Sequence, residues 1–317
     1  MKLFIELPTW LGDAVMATPA IENIVKSYPG CEITVFGSFL STQLFGEHPN
    51  VKKIIVDKSR SGGNRYLNLY QQAGQIGKVD IAISFRSSFA TKFLFWFLDA
   101  SQKCTYRKAK NIERHQVLRY NDFVNRCLGL QTMPGALKVY QRDIIPPKRK
   151  DRKTAGINPG ATYGSAKRWY PEKFAEVAVA LAGKYDIVIF GGPNEKDIAA
   201  DIEGELQKSS VMNYVNLAGK TTIPELIDQI SQLDLFITGD SGPMHVAAAF
   251  RVPTVALFGP TKDKETSQWK NPHGRIVRKE MACAPCMKRT CPLKHHECMT
   301  KIEPEDILDA VKKVEST

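Results

Sequence analysis

The stretch DLFITGDSGPMHVAAAFRVPTVALFGPT, residues 234–261, decides the fold. Asp234–Thr238 and Thr254–Phe258 are short, nearly continuous apolar runs, the pattern of strands covered on both faces. Between them a turn of small and polar residues, Gly239 to Pro243, gives way to an alanine-rich stretch at 243–250 that reads as a helix. Strand, turn, helix and strand together make the crossover unit of a parallel sheet.

The same alternation extends on both sides. Thr154–Asn158, Asp186–Phe190 and Tyr214–Leu217 read as strands, with helices at about 171–184, 195–207 and 223–232. Pro171 opens the first of these helices, where its missing N–H costs nothing. In the first half, Leu3–Glu6, Ile33–Phe36, Lys53–Val56 and Asp80–Phe85 read as strands. A helix is expected over Ala17–Tyr28, stopped by Pro29-Gly30. The pattern predicts an α/β protein with one doubly wound sheet in each half. At 317 residues the chain is long enough for two domains. The proline pair and basic run of Ile145-Pro146-Pro147-Lys148-Arg149-Lys150 mark a linker, giving domains 1–150 and 151–317. Pro304 to Val314 reads as a closing helix.

Apolar residues make up 43% of the chain, enough for two cores, and the net charge is +11. Residues 1–150 hold 22 Lys+Arg against 11 Asp+Glu, while residues 151–317 hold 22 of each, so the whole excess lies in the first half. That half suits an anionic partner, or carries a merely solvated basic surface. The N-terminus lacks the pattern of a secretory signal. The run Phe93–Leu98 falls far short of the ~20 residues of a spanning helix; its aromatics, Phe93–Phe97, suit contact with lipid, but a buried helix or strand is the expectation there. These features predict a cytoplasmic protein. Cys31, Cys104 and Cys127 read as isolated small core residues. Cys283, Cys286, Cys291 and Cys298, with His295 and His296 among them, are either ligands of a structural zinc or iron–sulfur group or free thiols.

In such sheets ligands bind beyond the carboxyl ends of the strands, and three motifs lie there. Pro8 to Val15 carries Trp10 and Gly12-Asp13. Asp13 either caps a helix or serves as a general base. Asn158 to Trp169 combines small residues with Lys167-Arg168, a combination that can cradle an anion. Gly239 to His245 places the amides of Ser241 and Gly242 at a helix start, where the dipole favours a diphosphate. Asp240 and Ser241 can cap the same helix, and His245 reads as a packed histidine. Neither the dinucleotide fingerprint nor a Walker A loop is present.

Gly12-Asp13, PGATYGSAKRW at 159–169, and GDSGPMHVAAA at 239–249 followed by PTVALFGPT at 253–261 together resemble the ADP-heptose:lipopolysaccharide heptosyltransferases, glycosyltransferase family 9. The likeness spans both halves and is nearest the branch that adds the second inner-core heptose. It implies a GT-B fold, with two Rossmann-like domains facing across a cleft, and an inverting transfer from ADP-heptose with no obligatory metal. It makes the first domain acceptor-binding and the second donor-binding. By it Asp13 is the base. Lys167 meets the donor phosphates, with Thr162 nearby. Asp240 holds heptose hydroxyls, Ser241 and Gly242 bind the diphosphate, and His245 is a neighbour. Leu217, Ala218, Gly219 and Thr222 line the adenosine pocket.

Trp10, Arg60, Arg65, Arg86 and Arg107, with Lys108 and Lys110, are the acceptor-side candidates, suited to the acidic sugars and phosphates of heptosyl-Kdo2-lipid A. The implied site of action is the cytoplasmic face of the inner membrane, with peripheral attachment and no nucleic-acid partner. The alternatives are a relative acting on the first core sugar or on a protein, a sugar-nucleotide epimerase, and a non-catalytic glycan-binding protein.

Overall fold

The computed structural model describes residues 1–108, 113–142, 151–160 and 163–316. The chain divides into two compact units, Met1–Arg142 and Asp143–Thr317. The expected proline linker, residues 145–150, lies outside the described residues.

The first unit is a five-stranded parallel sheet of β1 (Lys2–Glu6), β2 (Glu32–Gly37), β3 (Val51–Val56), β4 (Val79–Ser84) and β5 (Ala100–Thr105), in the order β3-β2-β1-β4-β5. Its helices are α1 (Leu11–Ser27), α2 (Phe39–Gln43), α3 (Arg65–Ile76), α4 (Phe89–Phe97) and α5 (Gln116–Leu128). Helices α1 and α5 pack together, as do α3 and α4. Leu69, Ala73, Ile76, Leu94 and Phe95 of the second pair are buried in one cluster with Phe4, Phe36, Ile55 and Ala82 of the sheet.

The second unit has six parallel strands, β6 (Lys153–Asn158), β7 (Tyr185–Ile189), β8 (Tyr214–Asn216), β9 (Leu235–Gly239), β10 (Thr254–Leu257) and β11 (Gly274–Val277), in the order β11-β10-β9-β6-β7-β8. Its helices are α6 (Pro171–Ala182), α7 (Lys196–Lys208), α8 (Ile223–Ser231), α9 (Gly242–Ala249), the short α10 (Asp263–Thr266) and α11 (Glu297–Thr300), and α12 (Pro304–Glu315). The closing helix α12 packs on α6, β10 and β11, burying Ile307, Val311 and Val314 in this unit's core.

Several sequence expectations are corrected. Helix α1 starts at Leu11, six residues before the expected start, and runs through Pro19. A proline there has no N–H to give to the carbonyl of Val15. The hydroxyl of Thr18 donates to that carbonyl instead, at 2.7 Å, and itself accepts from the amide of Lys138 at 2.9 Å. Strands β5 and β11 escape the apolar reading: both are sheet edges, β5 with the polar sequence ASQKCT and β11 with only the four half-exposed residues GRIV. Phe93–Leu98 is only partly buried: Leu94, Phe95 and Leu98 are inside, but Trp96 and Phe97 face solvent. Cys104 and Cys127 are not isolated. They form a disulfide joining β5 to the end of α5. Among the described residues no helix is long and apolar enough to cross a membrane.

The core tolerates little added volume. A Cβ on Gly156 of β6 would stand 2.5 Å from Leu233 Cδ1, 2.8 Å from Phe236 and 2.9 Å from Phe190. Gly156→Ala is expected to destabilise the protein by about 1–3 kcal/mol, the usual cost of overpacking. A lowered urea midpoint with an unchanged slope is the outcome that checks it.

Candidate active site

Parallel strands deliver their following loops to one edge, so each unit presents its polar residues at its own carboxyl edge. In the first unit β1 ends at Glu6, and the turn through Leu7 to Trp10 starts α1. Trp10 is the N-cap residue and is exposed, and no side chain caps the helix. Asp13 therefore lies in the first turn, not at the cap. It is half-buried, and the positive end of the helix dipole favours its carboxylate there. The buried phenol of Tyr120 on α5 is pushed well above its usual range, first by burial and then by the charge of Asp13.

Arg86 follows β4 at the same edge, and it is turned inward. Its Nε donates to the carbonyl of Leu7 at 2.6 Å, and its Nη1 lies 3.5 Å from Glu6 and 3.4 Å from Asp57. Glu6 also accepts from Ser84 at 2.5 Å and Thr91 at 3.2 Å. Burial still outweighs these partners and raises the carboxyl of Glu6 above its ordinary value. Of the other acceptor-side candidates, Arg60 and Arg107 are exposed and Arg65 is half-buried. Lys110 lies outside the described residues.

In the second unit Lys167 stands on a single 3₁₀ turn, Ser165–Lys167. Its ammonium lies 2.6 Å from the carboxylate of Asp240 and donates to the carbonyl of the same residue at 3.0 Å. Their side chains are only 12% and 7% exposed, so water screens the pair poorly. Ser241 caps α9, accepting from the amide of Met244 at 3.4 Å. Asn158 at the end of β6 donates to Thr238 at 3.1 Å and to Ser241 at 3.3 Å. Two motifs about eighty residues apart thereby meet in one polar cluster at the start of α9. Gly242 is the first residue of that helix, and His245 is buried within it. Thr162 lies outside the described residues.

The proposed adenosine-side residues divide. Ala218 is buried, and Gly219 takes φ +67°, with its amide on the carbonyl of Gly191 at 2.8 Å. Leu217 is half-buried in the same turn. Thr222 is a helix cap, its hydroxyl donating to Glu225 at 2.9 Å while it accepts the amide of Glu225 at 3.4 Å. Sequence reasoning missed Glu195. Its carboxylate accepts from the amide of Gly192 at 2.7 Å and lies where a Cβ on Gly160 would be, 2.0 Å from its carboxyl carbon. A buried carboxylate between two strand-end turns can accept hydrogen bonds from a sugar diol. The signal was GGPNE directly after β7.

The cysteine-containing segment braces the Lys167 turn. The amide of Ala166 donates to Arg289 at 3.0 Å, Tyr163 Oη donates to the carbonyl of Met287 at 3.1 Å, and His296 Nε2 lies 2.8 Å from the carbonyl of Ala166. Lys167 and Arg289 each stand about 5 Å from the centre of the Tyr163 ring. Cys283, Cys286, Cys291 and Cys298 line one small cavity with His295 and His296. Among the described residues, however, no group of three or more His, Cys, Asp or Glu side chains could hold a metal ion. The packing thus lends no support to a zinc or iron–sulfur group.

The model of glycosyltransferase family 9 (heptosyltransferase) matches residues 75–297. The chain belongs to glycosyltransferase family 9. It is 42% identical to the lipooligosaccharide heptosyltransferase 2 of Campylobacter jejuni serotype O:2, over 98% of each chain. It is 24% identical to the lipopolysaccharide heptosyltransferase 2 of Escherichia coli K12, over 98% of this chain and 97% of that one. Among solved structures, the Escherichia coli ADP-heptose LPS heptosyltransferase II superposes with a TM-score of 0.80 at 22% identity, covering all of both chains. A family 9 glycosyltransferase from Veillonella parvula gives 0.81 at 22% identity, over 99% and 96%. These likenesses establish the GT-B fold expected from the motifs, and family membership makes the chain a glycosyltransferase.

Two predictions follow from the buried groups of the site. Arg86→Met strands the Glu6 carboxyl in the interior and is expected to cost about 3–5 kcal/mol. Adding Glu6→Gln should recover much of the loss in chemical denaturation, and an additive double variant would refute the coupling. Cys298 has its thiol pushed up to about 11, first by burial and then by Cys286, Cys283 and Cys291. At pH 8 it is expected to stay protonated and resist iodoacetamide. Labelling read by peptide mass spectrometry should rise roughly tenfold per pH unit above that.

Proposed function

We propose that this enzyme moves heptose from ADP-heptose onto the inner-core heptose of lipooligosaccharide or lipopolysaccharide, inverting the anomeric carbon. The observation that carries the reading is the 42% identity, over nearly the whole chain, to a protein named lipooligosaccharide heptosyltransferase 2. The polar cluster of Lys167, Asp240 and Ser241 at the start of α9 supports it, since a cation and helix amides suit a leaving diphosphate.

In this reading the unit ending at Arg142 binds the acceptor, heptosyl-Kdo2-lipid A, and the unit that follows binds the donor. Asp13 takes the proton of the attacking hydroxyl. Half-buried in the first turn of α1 at the carboxyl edge of the sheet, it offers that proton a carboxylate. The hydroxyl oxygen bonds to the anomeric carbon as the bond to ADP breaks. Lys167 and the amides of Ser241 and Gly242 receive the charge that develops on ADP. Asp240 orients both Lys167 and the heptose hydroxyls, with His245 behind them. Leu217, Ala218, Gly219 and Thr222 flank the adenosine, and Thr162 the phosphates. No metal takes part in the transfer. Trp10, Arg60, Arg65 and Arg107 meet the acceptor, while Arg86 shapes that edge through Glu6 and Asp57. The protein works in the cytoplasm, held peripherally at the inner leaflet.

ADP release from ADP-heptose, with and without heptosyl-Kdo2-lipid A, tests the reading. Acceptor-dependent release is the expected result. Binding of ADP-heptose without release would move the acceptor to another core sugar or to a protein. Asp13→Asn is expected to keep donor binding and lose about 10²–10⁴ in kcat, the span of a general base. Turnover like that of the wild type would remove Asp13 from that role.

A further inference from the structure

Helices α3 and α4 bury one face in the core and leave the other open. On the open face Trp96 is 82% exposed and Phe89 68%, with Leu67 and Tyr70 each at 54%. Phe89 and Tyr70 belong to one chain of rings, and Trp96 lies one heptad from Phe89 on the same face of α4. Ring contacts run from Phe89 to Tyr66 (5.9 Å), Tyr66 to Phe93 (4.9 Å), Phe93 to Phe97 (5.0 Å) and Phe97 to Tyr70 (5.0 Å). Of the strip, Phe93 also packs on the core, while Leu69, Ala73, Ile76, Leu94 and Phe95 seat both helices on the sheet. A contiguous exposed aromatic surface on a soluble unit marks an interaction site.

The charge around the strip selects the partner. The sequences of the two helices, RYLNLYQQAGQI and FATKFLFWF, contain no carboxylate, and their charged residues are Arg65 and Lys92. Arg60 is exposed on the segment leading into α3, and the whole excess charge of the chain lies within residues 1–150. Lys92 is exposed, three residues after Phe89 and four before Trp96, on one side of the helix with both. Aromatic rings with polar tips beside cations are the composition of residues that settle at the headgroup level of a bilayer. Anionic headgroups complement the cations.

Position supports the same partner. Phe89 starts α4 five residues after the end of β4, and Tyr66 lies in the first turn of α3. Both are at the carboxyl edge of the sheet, the edge at which α1 starts with Asp13 in its first turn. The strip begins beside the acceptor residues and extends away from them.

We propose that the outer face of α3 and α4 is a docking surface for an anionic lipid bilayer, on which Phe89, Trp96 and Tyr70 enter the headgroup layer and Lys92 pairs with lipid phosphates. The proposal rests on the reading that the acceptor is lipid-anchored, and it names the surface that brings the enzyme to it.

Co-sedimentation of the full chain with vesicles tests it. Vesicles of phosphatidylethanolamine with about one third phosphatidylglycerol should capture the protein, and pure phosphatidylcholine vesicles should not. Phe89→Ser with Trp96→Ser should lower the partition coefficient at least tenfold. Lys92→Gln should lower it several-fold at low salt and little at high salt. All three proteins should release ADP at the wild-type rate with a fully deacylated, water-soluble acceptor. The aromatic variant should lose most of its rate on acceptor embedded in vesicles. Vesicle binding by that variant equal to wild type would overturn the proposal. So would a monomer–dimer shift with unchanged vesicle binding, which would give the face to a second copy. Failure of the wild type to turn over the deacylated acceptor would instead count against the proposed reaction, and the vesicle result would stand apart from it.

Discussion

A parallel strand cannot be joined to its neighbour by a tight turn. Each connection must cross back over the sheet, and a helix is the compact way to do so. That constraint orders both units. Every strand end is followed by a loop and a helix start at the same edge, so Asp13, Arg86, Lys167, Glu195, Asp240 and Ser241 gather at carboxyl edges without any long-range instruction in the sequence. Because both faces of each sheet are covered, the central strands are apolar, and many of the polar residues that form the candidate site lie where the strands stop.

The two ion-pair centres at those edges differ. Arg86 sits among Glu6, Asp57 and a backbone carbonyl, and it links the ends of β1, β3 and β4. It behaves as a fastener. Lys167 and Asp240 also pair closely, yet they stand on turns rather than in strands, next to the amides of a helix start. Two centres of similar chemistry thus differ in their surroundings, three strand ends in one case and a helix start in the other.

Much of this was legible in the sequence because period and composition act locally. The central strands announced themselves as apolar runs, and the three loops as small or polar residues after strands. The GT-B fold and the enzyme class came from the resemblance those loops carried. The start of α1 was not legible, since Pro19 masks a helix that Thr18 repairs with its hydroxyl. Edge strand β5 hid because it carries polar residues, and β11 because it is only four residues long. The inward turn of Arg86 depends on Glu6 and Asp57, which are distant in sequence. Glu195 depends on the absence of a side chain at Gly160. The Cys104–Cys127 bridge joins two residues that no local pattern links.

The brace over the Lys167 turn has a consequence for anyone recombining these enzymes. A side chain at position 164 would meet the backbone of Arg289 at 2.3 Å, and Ala166 is held from both sides by Arg289 and His296. The loop at 163–169 and the cysteine-containing segment at 281–298 are therefore one inheritable part written in two places. A chimera that takes the loop from one relative and the segment from another would import a mismatch that neither parent contains. Exchanging both together preserves the joint.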